Sequence, residues 1–215
     1  MTLKVFQVNS YLLQQDDVAV LIDTGFDHEL TRRLTQREQV PDVQAILLTH
    51  GHFDHAGGLV PLQQAFPNAR TYLPRQERQL FELLPKQGEY VFGAPQFNRP
   101  CGRIDQWVDD GDTIDIGPIK LQFIATPGHT PGQGCYYDHQ SIFVGDTLFA
   151  GSVGRTDFPL SDPQLAQQSL ARLMDLPHHL KVYSGHGPVT TIGHEWHSNP
   201  FLDTVRHLKR QQSDH

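Results

Sequence analysis

Residues 46–58, ILLTHGHFDHAGG, place three histidines and an aspartate within six positions directly after an apolar run. A single histidine here could belong to an ordinary polar turn. Two histidines two positions apart, followed at once by Asp-His, instead bring together the imidazole and carboxylate groups that bind a metal ion. The segment therefore predicts a metal site that includes His50, His52, Asp54 and His55.

Three further segments present a histidine or an aspartate in the same way. His129 follows LQFIATPG, Asp146 follows SIFVG, and His186 follows LKVYSG. With AILLT before His50, four apolar runs each lead to a candidate ligand beside Gly or Pro. Strand ends on one edge of a sheet collect functional groups in α/β proteins. We therefore expect all seven side chains to meet at one place.

Seven ligands of these types suit two divalent metal ions. Imidazole and carboxylate bind Zn²⁺, Mn²⁺ and Fe²⁺. Five neutral histidines and two aspartates supply two negative charges, which leaves room for a hydroxide beside two dications. Paired ions about 3.5–4 Å apart generate such a hydroxide at neutral pH and polarise the bond that it attacks. The residues thus predict hydrolysis, with zinc expected first and iron or manganese as alternatives.

The apolar runs that must position these ligands alternate with turn signals. Asp162 followed by Pro163 is typical of a helix start, whereas the Gly- and Pro-rich residues 85–102 predict a long loop. Runs rich in β-branched residues predict strands at 5–13, 18–23, 45–49, 119–126, 141–145 and 182–184, with weaker candidates at 70–73 and 134–137. Helices are predicted at 28–39, 56–66, 75–84, 163–176 and 199–212.

Composition limits the class of protein. With 215 residues and no internal repeat, residues 1–215 fit a single α/β domain. The net charge of −7 disfavours a nucleic-acid-binding surface. No apolar signal segment opens the sequence, and the longest aliphatic run, residues 18–22, is too short to cross a bilayer. Cys101 and Cys135 form no disulfide framework or zinc motif, so we expect a cytoplasmic monomer or homodimer without membrane partners.

The ligand pattern resembles that of the metallo-β-lactamase superfamily. The resemblance rests on HGHFDH at residues 50–55 and on the order of the later ligands, and it extends over residues 8–202. It implies a four-layer αββα sandwich of the α/β class, with two metal ions bridged by Asp146. The ligands that it implies for the first metal are His50, His52 and His129. Those for the second metal are Asp54, His55 and His186.

The bridging aspartate reduces the number of enzyme groups within the superfamily that the chain resembles. It disfavours the true β-lactamases of the superfamily, whose second metal has a different ligand at that position. It is shared with glyoxalase II-like thioesterases, persulfide dioxygenases, lactonases and RNA-processing nucleases. The nucleases usually insert a domain for which 215 residues leave no room. GSVGRTDFP at residues 151–159 is similar to the corresponding segment of small glyoxalase II-like and persulfide-dioxygenase-like members. The segment at 184–202 resembles that of short bacterial glyoxalase II-like hydrolases.

The resemblance therefore implies hydrolysis of S-lactoylglutathione or a related small thioester by a metal-bridging hydroxide. A thiol with a pKa of about 8.5 leaves without a strong general acid, whereas an amine needs a proton donor. Asp54 is the candidate catalytic proton shuttle. Two alternatives stay open: a lactonase, and a persulfide dioxygenase with one Fe²⁺ on His50, His52 or His129, and Asp146. The helical C-terminal domain that grips glutathione in larger glyoxalase II enzymes has no counterpart after residue 202, which leaves glutathione recognition open.

Five polar residues outside the ligand set are further candidates. Asn9 and Tyr11 occupy positions near the metal pocket in the superfamily, and they are either substrate-binding residues or ordinary strand ends. Asp23 ends a strand on the ligand edge, where it could accept a hydrogen bond from a ligating histidine or form a plain turn. Arg155 is expected either to pair with Asp157 or to contact substrate.

Overall fold

The computed structural model describes residues 6–36 and 42–213, and two mixed sheets lie at its centre. The strands of the first sheet are β1 (Tyr11–Gln15), β2 (Val18–Ile22), β3 (Val43–Leu47), β4 (Arg70–Pro74) and β5 (Gln106–Val108), in that spatial order. β1 is antiparallel to β2. From β2 to β5 each strand pairs in parallel with the next.

The second sheet and a small hairpin contain the remaining strands. They are β6 (Thr113–Ile116), β7 (Ile119–Ala125), β8 (Gly134–Tyr137), β9 (Ser141–Gly145), β10 (Leu148–Phe149), β11 (Ser152–Val153), β12 (Lys181–Ser184) and β13 (Thr190–Thr191). The sheet order is β13-β12-β9-β8-β7-β6, while β10 and β11 pair with each other. β9 and β12 are parallel, and the other neighbours in this sheet are antiparallel.

Helices cover the outer faces of both sheets. They are α1 (Glu29–Thr35), α2 (Phe53–Ala56), α3 (Leu59–Ala65), α4 (Arg78–Glu82), α5 (Leu84–Phe92), α6 (Pro163–Leu173), α7 (Ile192–Ser198) and α8 (Asp203–Ser213). The predicted start of α6 is confirmed, because Asp162 accepts hydrogen bonds from the backbone N–H groups of Gln164 and Leu165. Within the described ranges, no helix has the length and apolar character needed to span a membrane.

Side chains that alternate in direction along the strands pack into three separate hydrophobic cores. In β2, Leu21 packs with residues of α1 and α3, whereas Val20 and Ile22 face the other sheet. In β9, Ile142 packs with residues of α6 to α8, whereas Phe143 points into the core between the sheets. Since successive side chains of a strand point to opposite faces, each sheet is covered on both sides. The predicted four-layer αββα sandwich is confirmed.

The predicted loop at 85–102 is wrong over its first half. Residues 84–92 form α5, and a 3₁₀ helix follows at Pro95–Phe97. The Pro and Gly residues that suggested a loop serve the helix instead. Pro85 lies in its first turn, and Gly93 ends it with a φ of 62°. Gly88 lies against the backbone of Phe97, which would be only 2.2 Å from a Cβ at that position.

Other differences concern boundaries and short elements. The predicted strand at 5–13 begins only at Tyr11, because positive φ angles at Phe6 and Gln7 interrupt the extended chain, and residue 5 lies outside the described residues. α1 ends at Thr35, and residues 37–39 of its prediction also lie outside. The helices predicted at 56–66 and 75–84 are each divided. Besides α5, the helices and strands of the described residues that were not predicted are β5, β6, β10, β11, β13 and α7.

Candidate metal centre

The seven candidate ligands converge at the ends of four strands and on one short helix. Three groups of ligand atoms each lie within 4.8 Å of one another, and together the groups contain all seven residues. The loops after β3, β7, β9 and β12 carry ligands, and α2 carries two more. The groups are His50–His52–His129, His50–His55–Asp146 and Asp54–His55–His186.

Two glycines beside the ligands allow this close approach. A Cβ on Gly185 would lie 2.3 Å from Asp146 Oδ1 and 2.5 Å from His55 Cε1. Gly128, which precedes His129, has a φ of 137° and faces the backbone of Ala166 in α6. A side chain at either position would displace the neighbouring ligand or helix, so the local sequence is tied to the geometry of the cluster.

Asp23 orients two of the histidines. Its carboxylate accepts hydrogen bonds from His55 Nδ1 at 2.9 Å and from the Thr49 hydroxyl at 2.8 Å. The same Thr49 oxygen lies 3.0 Å from His50 Nδ1. In each of these two rings, Nδ1 contacts a group outside the cluster, and Nε2 faces the centre of the cluster. Hydrogen bonds of this kind orient the histidines that bind metal ions in other proteins. The prediction that Asp23 contacts a histidine of the cluster is confirmed.

The other loops are held through backbone contacts. His129 Nδ1 donates to the carbonyl oxygen of Arg155 at 2.7 Å. Asn9 Nδ2 donates to the carbonyl oxygens of Ser184 and Gly187, and Tyr11 OH donates to that of Ser184. Asn9 and Tyr11, for which substrate binding and ordinary strand ends were both open, therefore contact the backbone around His186, and the lining of the cavity at the cluster does not include them.

Three buried polar atoms in the cluster make no hydrogen bond of good geometry: His50 Nε2, His55 Nε2 and Asp146 Oδ1, the last two lying 3.3 Å apart. Leaving such atoms without a partner is unfavourable, and a metal ion bound between them would satisfy all three. Burial lowers the pKa of His50 well below its ordinary value and that of His52 to about 3. Both rings are therefore neutral at neutral pH, which is the form that binds metal.

The carboxylates attract positive charge to the same place. Burial lowers the pKa of His55, but the carboxylates of Asp146, Asp54 and Asp23 raise it by more. Burial likewise raises the pKa of Asp146, yet the histidines around it, His55 first, bring it below its ordinary value. The carboxylates of buried Asp146 and half-buried Asp54, beside the neutral imidazoles of His50 and His52, fit divalent cations. The donor set thus agrees with the predicted metal site.

A cavity of about 850 Å³ opens onto the cluster. Asp54 lines it, with Oδ2 located 3.3 Å from His186 Nε2. Arg155 also lines it, but its Nε and Nη2 donate to the Asp157 carboxylate at 2.6 and 2.7 Å. The predicted pairing of Arg155 with Asp157 is therefore confirmed. The roles of Asp54 in catalysis and of Arg155 in substrate binding stay predictions.

A family model described as the metallo-beta-lactamase superfamily matches residues 3–186. The chain belongs to this superfamily. The superfamily binds divalent metal ions, and the cluster of histidines and aspartates fits such a site. Membership identifies the protein as a metallohydrolase of this fold, as the spacing of its ligands implied.

Relatives within the superfamily match the chain over nearly its whole length. Hydroxyacylglutathione hydrolase GloC of Haemophilus influenzae is 37% identical over 206 residues, which cover 93% of this chain and 94% of that relative. The crystal structure of BLEG-1 B3 metallo-beta-lactamase is 37% identical with a TM-score of 0.86, covering 94% of this chain and 97% of the other. TTHA1623, solved in a di-iron-bound form, is 36% identical with a TM-score of 0.81, covering 94% and 98%.

Glu77, a buried residue that the sequence did not single out, links two ligand loops of this superfamily member. Its Oε2 accepts from the backbone N–H of Gly51 at 2.7 Å, and its Oε1 accepts from that of Gly132 at 2.6 Å. Gly51 separates His50 from His52, and Gly132 follows His129 by three positions. One carboxylate thus fixes the loops that supply the three ligands implied for the first metal.

Gln87 of α5 holds the first loop from the other side. Its Nε2 donates to the carbonyl oxygen of Gly51 at 2.9 Å, and its Oε1 accepts from the backbone N–H of Phe53 at 2.9 Å. A lone Glu or Gln in a helix is usually solvated, so neither residue carries a signal in a single sequence.

Glu77→Gln is expected to reduce the free energy of unfolding by about 1–3 kcal/mol, because the amide NH₂ then faces a buried N–H donor. We also expect metal affinity to fall by about tenfold, as for other groups that orient metal ligands. Urea unfolding of apo protein and metal titration measure the two effects. Glu82→Gln, an exposed change in the same segment, is the control. Equal stability and affinity in the two variants would contradict a positioning role for Glu77.

Proposed function

We propose that the protein is a glyoxalase II-like thioesterase that hydrolyses S-lactoylglutathione or a related small thioester with two divalent metal ions. The observation that carries the proposal is the cluster of seven candidate ligands, five of which line an open cavity. The similarity to hydroxyacylglutathione hydrolase GloC supports the thioester as substrate. We propose zinc as the metal, with iron as the alternative that the di-iron form of TTHA1623 supports.

The residues of the cluster and those that hold its loops have different roles in the proposed reaction. Metal ions held by the seven ligands would supply Lewis-acid activation of water and of the thioester carbonyl. Asp54 lines the cavity, and its Oδ2 can take a proton from the attacking water. Asp23, Glu77 and Gln87 hold the ligand loops still, so that little reorganisation is needed during the reaction. The thiolate leaves without a dedicated acid.

Hydrolysis of β-lactams is a second candidate function. The similarity to BLEG-1 B3 metallo-beta-lactamase favours it and weakens the argument drawn against such enzymes from Asp146. The persulfide dioxygenase and the lactonase stay alternatives. Elemental analysis separates one iron per chain from two metal ions. Assays with a thioester, a β-lactam and a lactone under identical conditions identify the reaction.

Removal of most of the glutathione moiety is expected to change kcat/KM by less than about tenfold. The protein offers few contacts to this part of the substrate, which therefore contributes little binding energy. Glutathione carries two carboxylates. The lysine and arginine side chains among the described lining residues are Lys86 and Arg155, and Arg155 is already paired with Asp157. S-lactoylglutathione and S-lactoyl-N-acetylcysteamine are the substrates to compare. Loss of all activity towards the shorter thioester would show that a dedicated glutathione site exists.

A further inference from the structure

Exposed apolar side chains are concentrated at the cavity beside the metal centre. The described residues contain nine large hydrophobic side chains that are exposed, and five of them line this cavity. These five are Leu83, Tyr90, Val91, Phe92 and Leu160. Scattered exposed hydrophobic residues are ordinary, but a contiguous group of them marks a binding site.

The helix that carries most of this surface is fixed to the ligand loop. α5 buries Leu84, Gln87 and Gly88, while Tyr90 and Val91 line the cavity. Gln87 connects the helix to Gly51 and Phe53 through the hydrogen bonds described above. The apolar surface is therefore part of a preformed pocket whose position relative to the metal ligands is set by buried hydrogen bonds.

We propose that this pocket binds an apolar group of the substrate, either a hydrocarbon chain or an aromatic ring, while the thioester carbonyl lies at the metal centre. We call the surface formed by Leu83, Tyr90, Val91, Phe92, Phe158 and Leu160 the apolar wall. The proposal rests on the thioesterase function and adds a substrate class to it.

Two observations make a substrate group the occupant. The apolar wall and the ligands Asp54, Asp146 and His186 line one continuous cavity, so that a molecule bound to the metal centre extends along the wall. The volume of about 850 Å³ falls in the range of small-molecule sites. The lactoyl group is small and polar, and it leaves the wall uncovered.

Two substrate series test the proposal and show which side of the thioester carries the apolar group. One series contains S-acyl-N-acetylcysteamines from acetyl to hexanoyl, and the other contains acetyl thioesters of alkyl thiols of increasing length. In at least one series kcat/KM is expected to rise by up to about fourfold for each buried methylene. No increase with chain length in either series overturns the proposal.

Substitutions in the apolar wall test its location. Leu83→Ser and Tyr90→Ser are each expected to lower the ratio of kcat/KM for the longest and the shortest thioester by about tenfold. Both positions are exposed, at 41% and 72%, so little core packing is lost. Phe201→Ser is the matched control, since Phe201 is 52% exposed and does not line the cavity. An unchanged ratio in both wall variants, or a change only in oligomeric state, overturns the assignment.

Binding of thioethers separates this inference from the proposed reaction. S-hexyl- and S-methyl-N-acetylcysteamine cannot be hydrolysed, and calorimetry of the metal-loaded protein compares their affinities. Tighter binding of the hexyl compound by about tenfold or more, lost in Leu83→Ser, supports the apolar wall even where no thioester is cleaved. Hydrolysis of thioesters without any preference in rate or binding would leave the thioesterase proposal standing and remove the apolar site.

Discussion

The variant His129→Ala is expected to lose hydrolytic activity by about a thousandfold, since bound metal contributes several kcal/mol of transition-state stabilisation. His129 Nε2 lies 3.0 Å from His52 Nδ1 and 3.5 Å from Asp146 Oδ2, so its removal opens the first ligand group. The side chain follows β7 in a loop rather than in one of the hydrophobic cores. Its truncation therefore creates no large core cavity, and we expect a folded protein.

Metal content and folding must be measured together to interpret that loss. Elemental analysis is expected to show less than the wild-type metal content, while circular dichroism shows a native melting transition. His52→Ala tests the same ligand group independently. His197→Ala, a change at an exposed histidine of α7, controls for removal of an imidazole. Wild-type turnover in a variant shown to contain no metal would refute the assignment of these histidines.

The metal centre could be predicted because its signals are local. HGHFDH concentrates four ligands in six residues, and the other three each follow an apolar run that forms β7, β9 or β12. Backbone pairing within parallel and antiparallel sheets then places those strand ends at one edge, a consequence of topology rather than of side-chain detail. The apolar residues at successive positions of β2 and β9 likewise indicate that both faces of each strand are buried.

The surroundings of the metal centre depend on tertiary contacts that a single sequence does not display. Pro85, Gly88 and Gly93 are residue types common in loops, and the close packing of Gly88 against residues 97–98 in the helical segment is not visible in the sequence. Gln87 became identifiable only once α5 was placed beside Gly51. β13, with two residues, is too short to show periodicity. The sequence therefore predicted correctly that the seven candidate side chains meet at one place, but it did not identify the groups that hold their loops.

Asp146→Asn is expected to retain one tightly bound metal ion and to weaken the second by about tenfold or more, because the neutral amide no longer offsets the repulsion between two dications. Asp146 Oδ1 lies 3.3 Å from His55 Nε2, and its Oδ2 lies 3.5 Å from His129 Nε2 and 3.6 Å from His186 Nε2. These contacts place the carboxylate between the two implied ligand sets. The first set keeps its three histidines in the variant.

The effect on activity follows from that loss of charge. Hydrolysis is expected to fall by about a hundredfold or more, since a two-metal site needs both ions to activate water and substrate together. Titration of metal into apo protein, with bound equivalents counted, measures each site. Asp115→Asn, at an exposed position of β6 outside the cluster, removes the same charge and controls for net charge. Two equally tight equivalents in Asp146→Asn would exclude a bridging role, because a bridging carboxylate cannot lose its charge without separating the affinities of the two ions.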